Sequence, residues 1–172
     1  FEQTGGVFSL LPNDTLGQVM QAALQQVGGV HYDTDEQAFA QRLQQSLEKQ
    51  PGLEQAEALQ PYRADLAGSA STDVGDVSWN VPTVGLSTAT WVPGTPAHSW
   101  QAVAASGMSI GAKGALNAAK AMALAGVQLL QSPETVAKAK QEFDARRGPQ
   151  FRYTPLLQRA DPPLDYRRKP EG

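Results

Sequence analysis

Apolar positions recur with helical spacing over most of the chain. Leu16, Val19, Met20, Ala23, Leu24 and Val27 fall on one face of a helix, with Asn13 or Asp14 placed to cap its start. Gly28-Gly29 predicts its end. Phe39, Leu43 and Leu47 form a second stripe, begun by Asp33 or Thr34 with acidic residues in the first turn, and closed by Pro51-Gly52. Ser99–Met108 reads as a short helix and Ser109–Leu130 as a long alanine-rich one. A last helix starts at Ser132, with Pro133 in its first position, and runs to about Arg147 before Gly148-Pro149.

Between these lie segments of another kind. Val7-Phe8-Ser9-Leu10-Leu11 reads as a short strand or extended entry, residues 53–66 as a connector and residues 67–78 as a loop. Residues 79–92, with Val81–Leu86 at their centre and Trp79 and Trp91 on either side, predict a buried strand with Pro82 at its start or edge. Residues 93–98, Pro-Gly-Thr-Pro-Ala-His, predict a tight loop. Gly107, Gly111 and Gly114 weaken the long helix and predict close approach to another backbone. Residues 151–172 predict an extended tail, so the expected organisation is a domain over 1–150 and a tail over 151–172.

Composition narrows the function classes. Leu, Ile, Val and Phe sum to 35 of 172 residues, a thin supply for a core, while alanine (25) and glutamine (18) are abundant. This fits an alanine-rich helical protein or part of a larger core. Fourteen basic against 17 acidic residues leave a net charge of −3, which argues against a nucleic-acid surface. The absence of cysteine excludes disulfide frameworks, zinc knuckles and thiol catalysis. No apolar run is long enough for a membrane span, and the first residues lack the basic start and apolar run of a signal peptide. Hydrolase elbow, phosphate-loop and dinucleotide patterns are all missing.

Three groups of residues could carry chemistry. The two histidines are His31, in a loop between helices, and His98, at a strand-to-helix edge where ligands bind in α/β sheets. A neutral His98 imidazole there is either a metal ligand or a structural loop residue. Ser71-Thr72-Asp73-Val74-Gly75-Asp76-Val77-Ser78-Trp79 holds two carboxylates and three hydroxyls in nine residues. It reads equally as a substrate- or metal-orienting loop and as an ordinary turn. Trp79, Trp91 and Trp100 gather near the same edge, as core or as pocket wall.

Residues 70–101, from Ala-Ser-Thr-Asp-Val-Gly-Asp-Val-Ser-Trp to Gly-Thr-Pro-Ala-His-Ser-Trp-Gln, resemble the dinuclear-metal aminoacylase and glutamate-carboxypeptidase-like amidohydrolases. Val7–Asn13, Phe39-Ala40, Leu43-Gln44, Lys140–Phe143 and Tyr153–Leu156 resemble the same family, so the likeness covers nearly the whole chain. The resemblance implies an α/β fold: the C-terminal portion of an α/β/α metallopeptidase-like catalytic domain, mostly helical with a few strands. It implies a parent that hydrolyses the amide of p-aminobenzoyl-glutamate or a related N-acyl amino acid, using two divalent ions, zinc or manganese. His98 matches a metal-ligand histidine of the family. Asp73, with Thr72 beside it, matches an acidic loop that lines the site, which implies a substrate-binding role.

In the family the other ligands and a glutamate base come from the N-terminal half, including a His-x-Asp motif and an adjacent Glu-Glu pair. Both the His-x-Asp motif and the Glu-Glu pair are expected to be absent from this chain, and one matched histidine cannot hold a dinuclear site, since catalytic zinc usually takes three protein ligands. The chain is therefore expected to be inactive alone and to need the missing half or a partner subunit. The resemblance also implies a cytoplasmic, oligomeric parent acting on a small molecule, with no nucleic acid or membrane partner. Two other readings stand beside it: a self-contained helical interaction module, and a subunit that completes a metal site with a partner chain.

Overall fold

The computed structural model describes Gln3, residues 5–64, residues 71–157, Leu164 and Arg167. Six α-helices and one 3₁₀ turn form there: α1 (Asp14–Val27), α2 (Thr34–Gln44), the turn Leu53–Ala56, α3 (Val74–Ser78), α4 (Trp100–Ser106), α5 (Ser109–Gln131) and α6 (Pro133–Arg147). The architecture of the described residues is helical. Helix α1 packs mainly on α5, which also meets α4 and α6.

The predicted helix starts have physical causes in the structure. Asn13 caps α1, its side chain accepting from the Leu16 N–H, and Gly28 ends that helix at φ 85°. Asp33 caps α2 through a reciprocal capping box with Glu36. Helix α2 stops at Gln44, short of the expected Pro51-Gly52, because residues 45–47 turn back on Leu43 and Gln44. Leu43 and Leu47 are buried nonetheless. Ser132 stands before α6 without capping it; its hydroxyl pairs with that of Thr135 at 2.8 Å.

Two apolar clusters hold the fold. Met20 and Ala23 of α1 meet Ala121 and Ala125 of α5, with Val84 and Leu86 packed against them. Ala40 and Leu43 of α2 meet Val92, Ala105 and Ile110. Alanine dominates because helices α1 and α5 approach closely; small side chains fill the space at native density. Gly114 is required by a different close approach, of α5 to residues 89–90, since a Cβ there would lie 2.4 Å from the Ala89 carbonyl oxygen. Gly111, whose Cβ would lie 2.3 Å from the Ser106 carbonyl oxygen, and Gly114 thus mark backbone contact as expected, whereas Gly107 precedes α5 and meets only ordinary contacts.

The predicted strands do not form among the described residues. Residues 81–90 have no regular secondary structure, bending at Val81 and turning at Thr88–Thr90; Val84 and Leu86 pack against the α1–α5 cluster, but no neighbouring described segment pairs with this stretch. Residues 7–11 likewise form no ladder. A strand needs a second backbone for its N–H and C=O groups. Nothing in the described residues supplies one. Apolar alternation marks which side chains face the helices, but it cannot provide the partner. The expected loop over 67–78 is corrected too: its residues 74–78 form α3, while residues 67–70 lie outside the described residues.

Polar bonds from α6 fix the start of α1. The Glu142 carboxylate accepts from the N–H groups of Asp14 (2.6 Å) and Thr15 (2.9 Å) and from the Thr15 hydroxyl (2.7 Å). A carboxylate at a helix N-terminus satisfies unpaired donors and the helix dipole together. Burial pushes the Glu142 carboxyl up, but these bonds and Arg146 more than offset it and hold it below the usual range.

In the tail region, Phe151 and Tyr153 fold back onto Phe8 and Trp79. Most of residues 158–172 lies outside the described residues.

Candidate functional site

The segment that carries His98 is anchored from below and open above. Val92 is buried in the α2–α5 cluster, and the Gln44 side-chain amide donates to the carbonyls of Pro51 (2.7 Å) and Pro93 (3.1 Å). Gly94 adopts φ 91° and sits where a Cβ would be 2.3 Å from the Lys49 carbonyl oxygen. The loop closes with Ser99, whose hydroxyl donates to the Pro96 carbonyl and accepts from the Ala102 N–H, capping α4. His98 lies between these anchors at φ 58° and is the single non-glycine residue with positive φ among the described residues. Such a conformation costs about 1–3 kcal/mol and persists where the surroundings impose it, most often at working sites.

The His98 side chain is exposed, and its imidazole has no hydrogen bond or ion pair to a described residue. It lines an open cavity of about 730 Å³ with Trp91, Trp100, Val103 and Ser106. Trp91 is fixed by its indole N–H, which donates to the Ser106 hydroxyl at 2.8 Å. Trp100 stands outward at 63% exposure.

Thr72 and Asp73 are exposed and do not line this cavity. The Thr72 hydroxyl accepts from the Val74 N–H at 3.2 Å, and Asp73 stands at the start of α3 without capping it. The other half of the Ser71–Trp79 string is structural. The Asp76 carboxylate accepts from the Phe8 N–H (3.3 Å) and the Tyr153 hydroxyl (2.9 Å). Ser78, fully buried, accepts from the Leu11 N–H at 2.9 Å and donates to the Gly75 carbonyl at 2.5 Å. The Trp79 indole donates to the Ser9 carbonyl at 2.8 Å. Its ring packs on Phe8 and Phe151, with centroids 5.8 and 4.5 Å away. These contacts tie the chain entry, α3 and the tail together. Bonding to Asp76 and burial also push the Tyr153 hydroxyl up.

No group of three or more His, Asp or Glu side chains positioned for a metal ion exists among the described residues. The expected absence of a His-x-Asp motif is corrected: His31-Tyr32-Asp33 has that spacing. Its two ends go elsewhere: His31 Nδ1 lies 3.0 Å from Glu57, while Asp33 caps α2 and faces Lys113. A second, more enclosed cavity of about 530 Å³ lies between α1, residues 55–63 and residues 84–89; His98, Thr72 and Asp73 are all absent from it.

Sequence reasoning missed Glu36, the most deeply buried charge among the described residues at 4% exposure. Its carboxylate accepts from the Ser109 hydroxyl (2.5 Å), Lys113 Nζ (2.5 Å) and the Asp33 N–H (2.9 Å), joining α2 to α5. The Asp33-x-x-Glu36 capping spacing was the available signal. Burial pushes Glu36 up, yet the bonds from Lys113, Ser109 and Asp33 hold it below the usual carboxylate range. Burial and then the Glu36 charge push the neighbouring Tyr32 hydroxyl up to about 12.

Comparison with known proteins adds a relative. The chain is 32% identical, over a 179-residue alignment covering 90% of its length, to a p-aminobenzoyl-glutamate hydrolase subunit of Escherichia coli (strain K12). This chain is a relative of that hydrolase subunit. The match spans 37% of the subunit's own length. No family profile matches the chain, and neither does any solved structure. The similarity to the hydrolase subunit agrees with the likeness read from residues 70–101 and its flanks. Among the described residues no helix is long and apolar enough to cross a membrane.

Proposed function

We propose that this chain is the C-terminal portion of a metal-dependent amidohydrolase that cleaves p-aminobenzoyl-glutamate or a related N-acyl amino acid. The similarity to the p-aminobenzoyl-glutamate hydrolase subunit carries this reading. His98 supports it locally: an exposed imidazole without a partner among the described residues, held in a left-handed conformation on an anchored loop. One imidazole fits one ligand position of a zinc or manganese pair, not a whole site. The remaining ligands and the base therefore come from polypeptide outside these residues, and this chain alone performs no catalytic step. Thr72 and Asp73 belong to the substrate side in this reading, reaching it only once that polypeptide is in place.

The same proposal gives residues 81–90 a role. Additional strands pair with them and complete an α/β/α domain. Helix α5 has an apolar face waiting for cover, with Leu116, Met122, Val127 and Leu130 exposed, the last at 86%. Faces of this kind mark interaction surfaces. The relative's name as a subunit favours a partner chain there. A cytoplasmic location goes with this reading.

The test is hydrolysis of p-aminobenzoyl-glutamate, followed by release of p-aminobenzoate, with the chain alone and within its longer protein or subunit complex. The chain alone is expected to be inactive. The assembled protein is expected to be active and to lose activity with a chelator. In that assembly His98→Ala should lower activity by more than the roughly 10- to 100-fold typical of a group that merely supports a ligand, with a matching fall in bound metal. Unchanged metal and activity in His98→Ala would refute the ligand role and favour the self-contained helical interaction module.

A further inference from the structure

The walls of the His98 cavity say more about a ligand than the histidine does. Trp91 and Trp100 belong to different segments, one directly after residues 81–90 and one at the start of α4. Both indoles line one cavity, with Val103 and Ala102 completing its apolar side. Two polar groups of the lining are already engaged: the Trp91 N–H donates to the Ser106 hydroxyl, and the Ser99 hydroxyl caps α4 and holds Pro96. What remains for a ligand is the His98 imidazole, the Trp100 indole N–H and the Ser106 O–H. Among the described residues no Lys, Arg, Asp or Glu lines the cavity.

We infer that this cavity is the acyl-group subsite, and that Trp91 and Trp100 hold a flat aromatic acyl group with its amide directed to His98. This rests on the amidohydrolase reading above. An uncharged lining has nothing to neutralise the carboxylates of a glutamyl group, which excludes the amino-acid half of an N-acyl substrate. Aromatic faces favour a planar ring over an alkyl acyl group, because stacking adds to simple burial. The volume, about 730 Å³, falls within the range of small-molecule sites. The two indoles are thus specificity-determining residues that select N-aroyl over N-alkanoyl amino acids.

Trp79 supplies an internal reference for the test, since its indole is held by Ser9 in the aromatic cluster and is absent from the cavity lining. The experiment follows the three indole N–H signals of the whole ¹⁵N-labelled chain during titration with N-(4-aminobenzoyl)glutamate, and separately with N-acetylglutamate. The Trp91 and Trp100 signals are expected to shift saturably with the aromatic compound, while Trp79 stays in place and N-acetylglutamate moves none of them. Trp100→Ala, at an exposed position, should weaken the aromatic compound about tenfold as followed at Trp91. Equal responses to both compounds, no response, or unchanged binding in Trp100→Ala would overturn the subsite. A second measurement separates this from failure of the hydrolase reading. In the assembled protein, Trp100→Ala should lower kcat/KM about tenfold for the aroyl substrate and leave the acetyl substrate unchanged. An unchanged aroyl preference in Trp100→Ala, with hydrolysis intact, refutes the subsite alone. Saturable aroyl binding with no metal-dependent hydrolysis of either substrate refutes the reaction and leaves the aromatic site.

Discussion

Gly75→Ala is expected to destabilise the chain by about 3 kcal/mol or more, at the upper end of overpacking effects. A Cβ at position 75 would lie 1.8 Å from the Phe8 carbonyl oxygen, an atom of the backbone that no rotamer change can move aside. The helix must therefore separate from the entry segment. That separation would strain the bond from the Phe8 N–H to Asp76, the bond from the Leu11 N–H to Ser78, and the packing of Trp79 on Phe8. The Leu11 N–H would suffer most, because it is buried and bonded to Ser78, and a stranded donor there costs about 1–3 kcal/mol. Gly126→Ala is the matched control. Nothing lies within 4 Å of its Cβ position, and the residue is inside α5, so alanine should stabilise by about 0.5–1 kcal/mol. Urea unfolding of both variants reads the difference as a shift in midpoint at constant slope. Equal stability of Gly75→Ala and the parent chain would show that α3 is not seated against the entry.

Glu36→Gln is expected to cost about 2 kcal/mol at neutral pH. Breaking a fully buried ion pair costs about 3–5 kcal/mol, and the partial exposure of Lys113, 37%, lowers that figure. The pH dependence gives a sharper signature. Glu36 is held below the usual carboxylate range in the folded chain, so the unfolded chain takes up its proton first as pH falls. Its stabilisation is complete above the unfolded value of about 4.3 and is lost as pH drops through the lower folded value. Parent and Glu36→Gln stabilities should therefore differ at pH 7 and converge in acid. Denaturant titrations at pH 7 and at stepwise lower pH check this. A difference that stays constant with pH would assign the cost to packing rather than to the charge. Glu142 shifts in the same direction, so the parent chain as a whole should lose stability steeply over that range.

The two predictions concern residues of unequal visibility in the sequence. Helices α1, α5 and α6 were legible because their signals are local: apolar spacing, Asn13 before α1, Pro133 in the first turn of α6, Gly28 and Gly148 after the ends. The close packing of α5 was legible because only glycine permits the approach at position 114. His98 stood out by its scarcity and its loop. By contrast, the residues 81–86 pattern predicts a strand and the structure shows no regular element there, because strand formation depends on a partner remote in sequence.

The Ser71–Trp79 string shows where local reading stops. Its side chains read together as a substrate or metal loop, or as a turn. Thr72 and Asp73 face solvent, while Asp76, Ser78 and Trp79 turn inward to bind residues 8–11 and 153. Those partners lie about seventy positions away, and no local pattern contains them. The pairing of Trp91 with Ser106, and their sharing of one cavity with His98 and Trp100, likewise follow from how α4 sits beside the Trp91 segment.

The sequence by itself determined helices α1, α5 and α6, the caps at Asn13 and Asp33 and the exclusion of thiol chemistry, because each follows from neighbouring residues or from composition. Tertiary structure decided which polar residues are structural, that His98 is strained and open, and that two indoles stand with it. Those outcomes depend on contacts between distant segments, whose free energy exists only once the chain is folded.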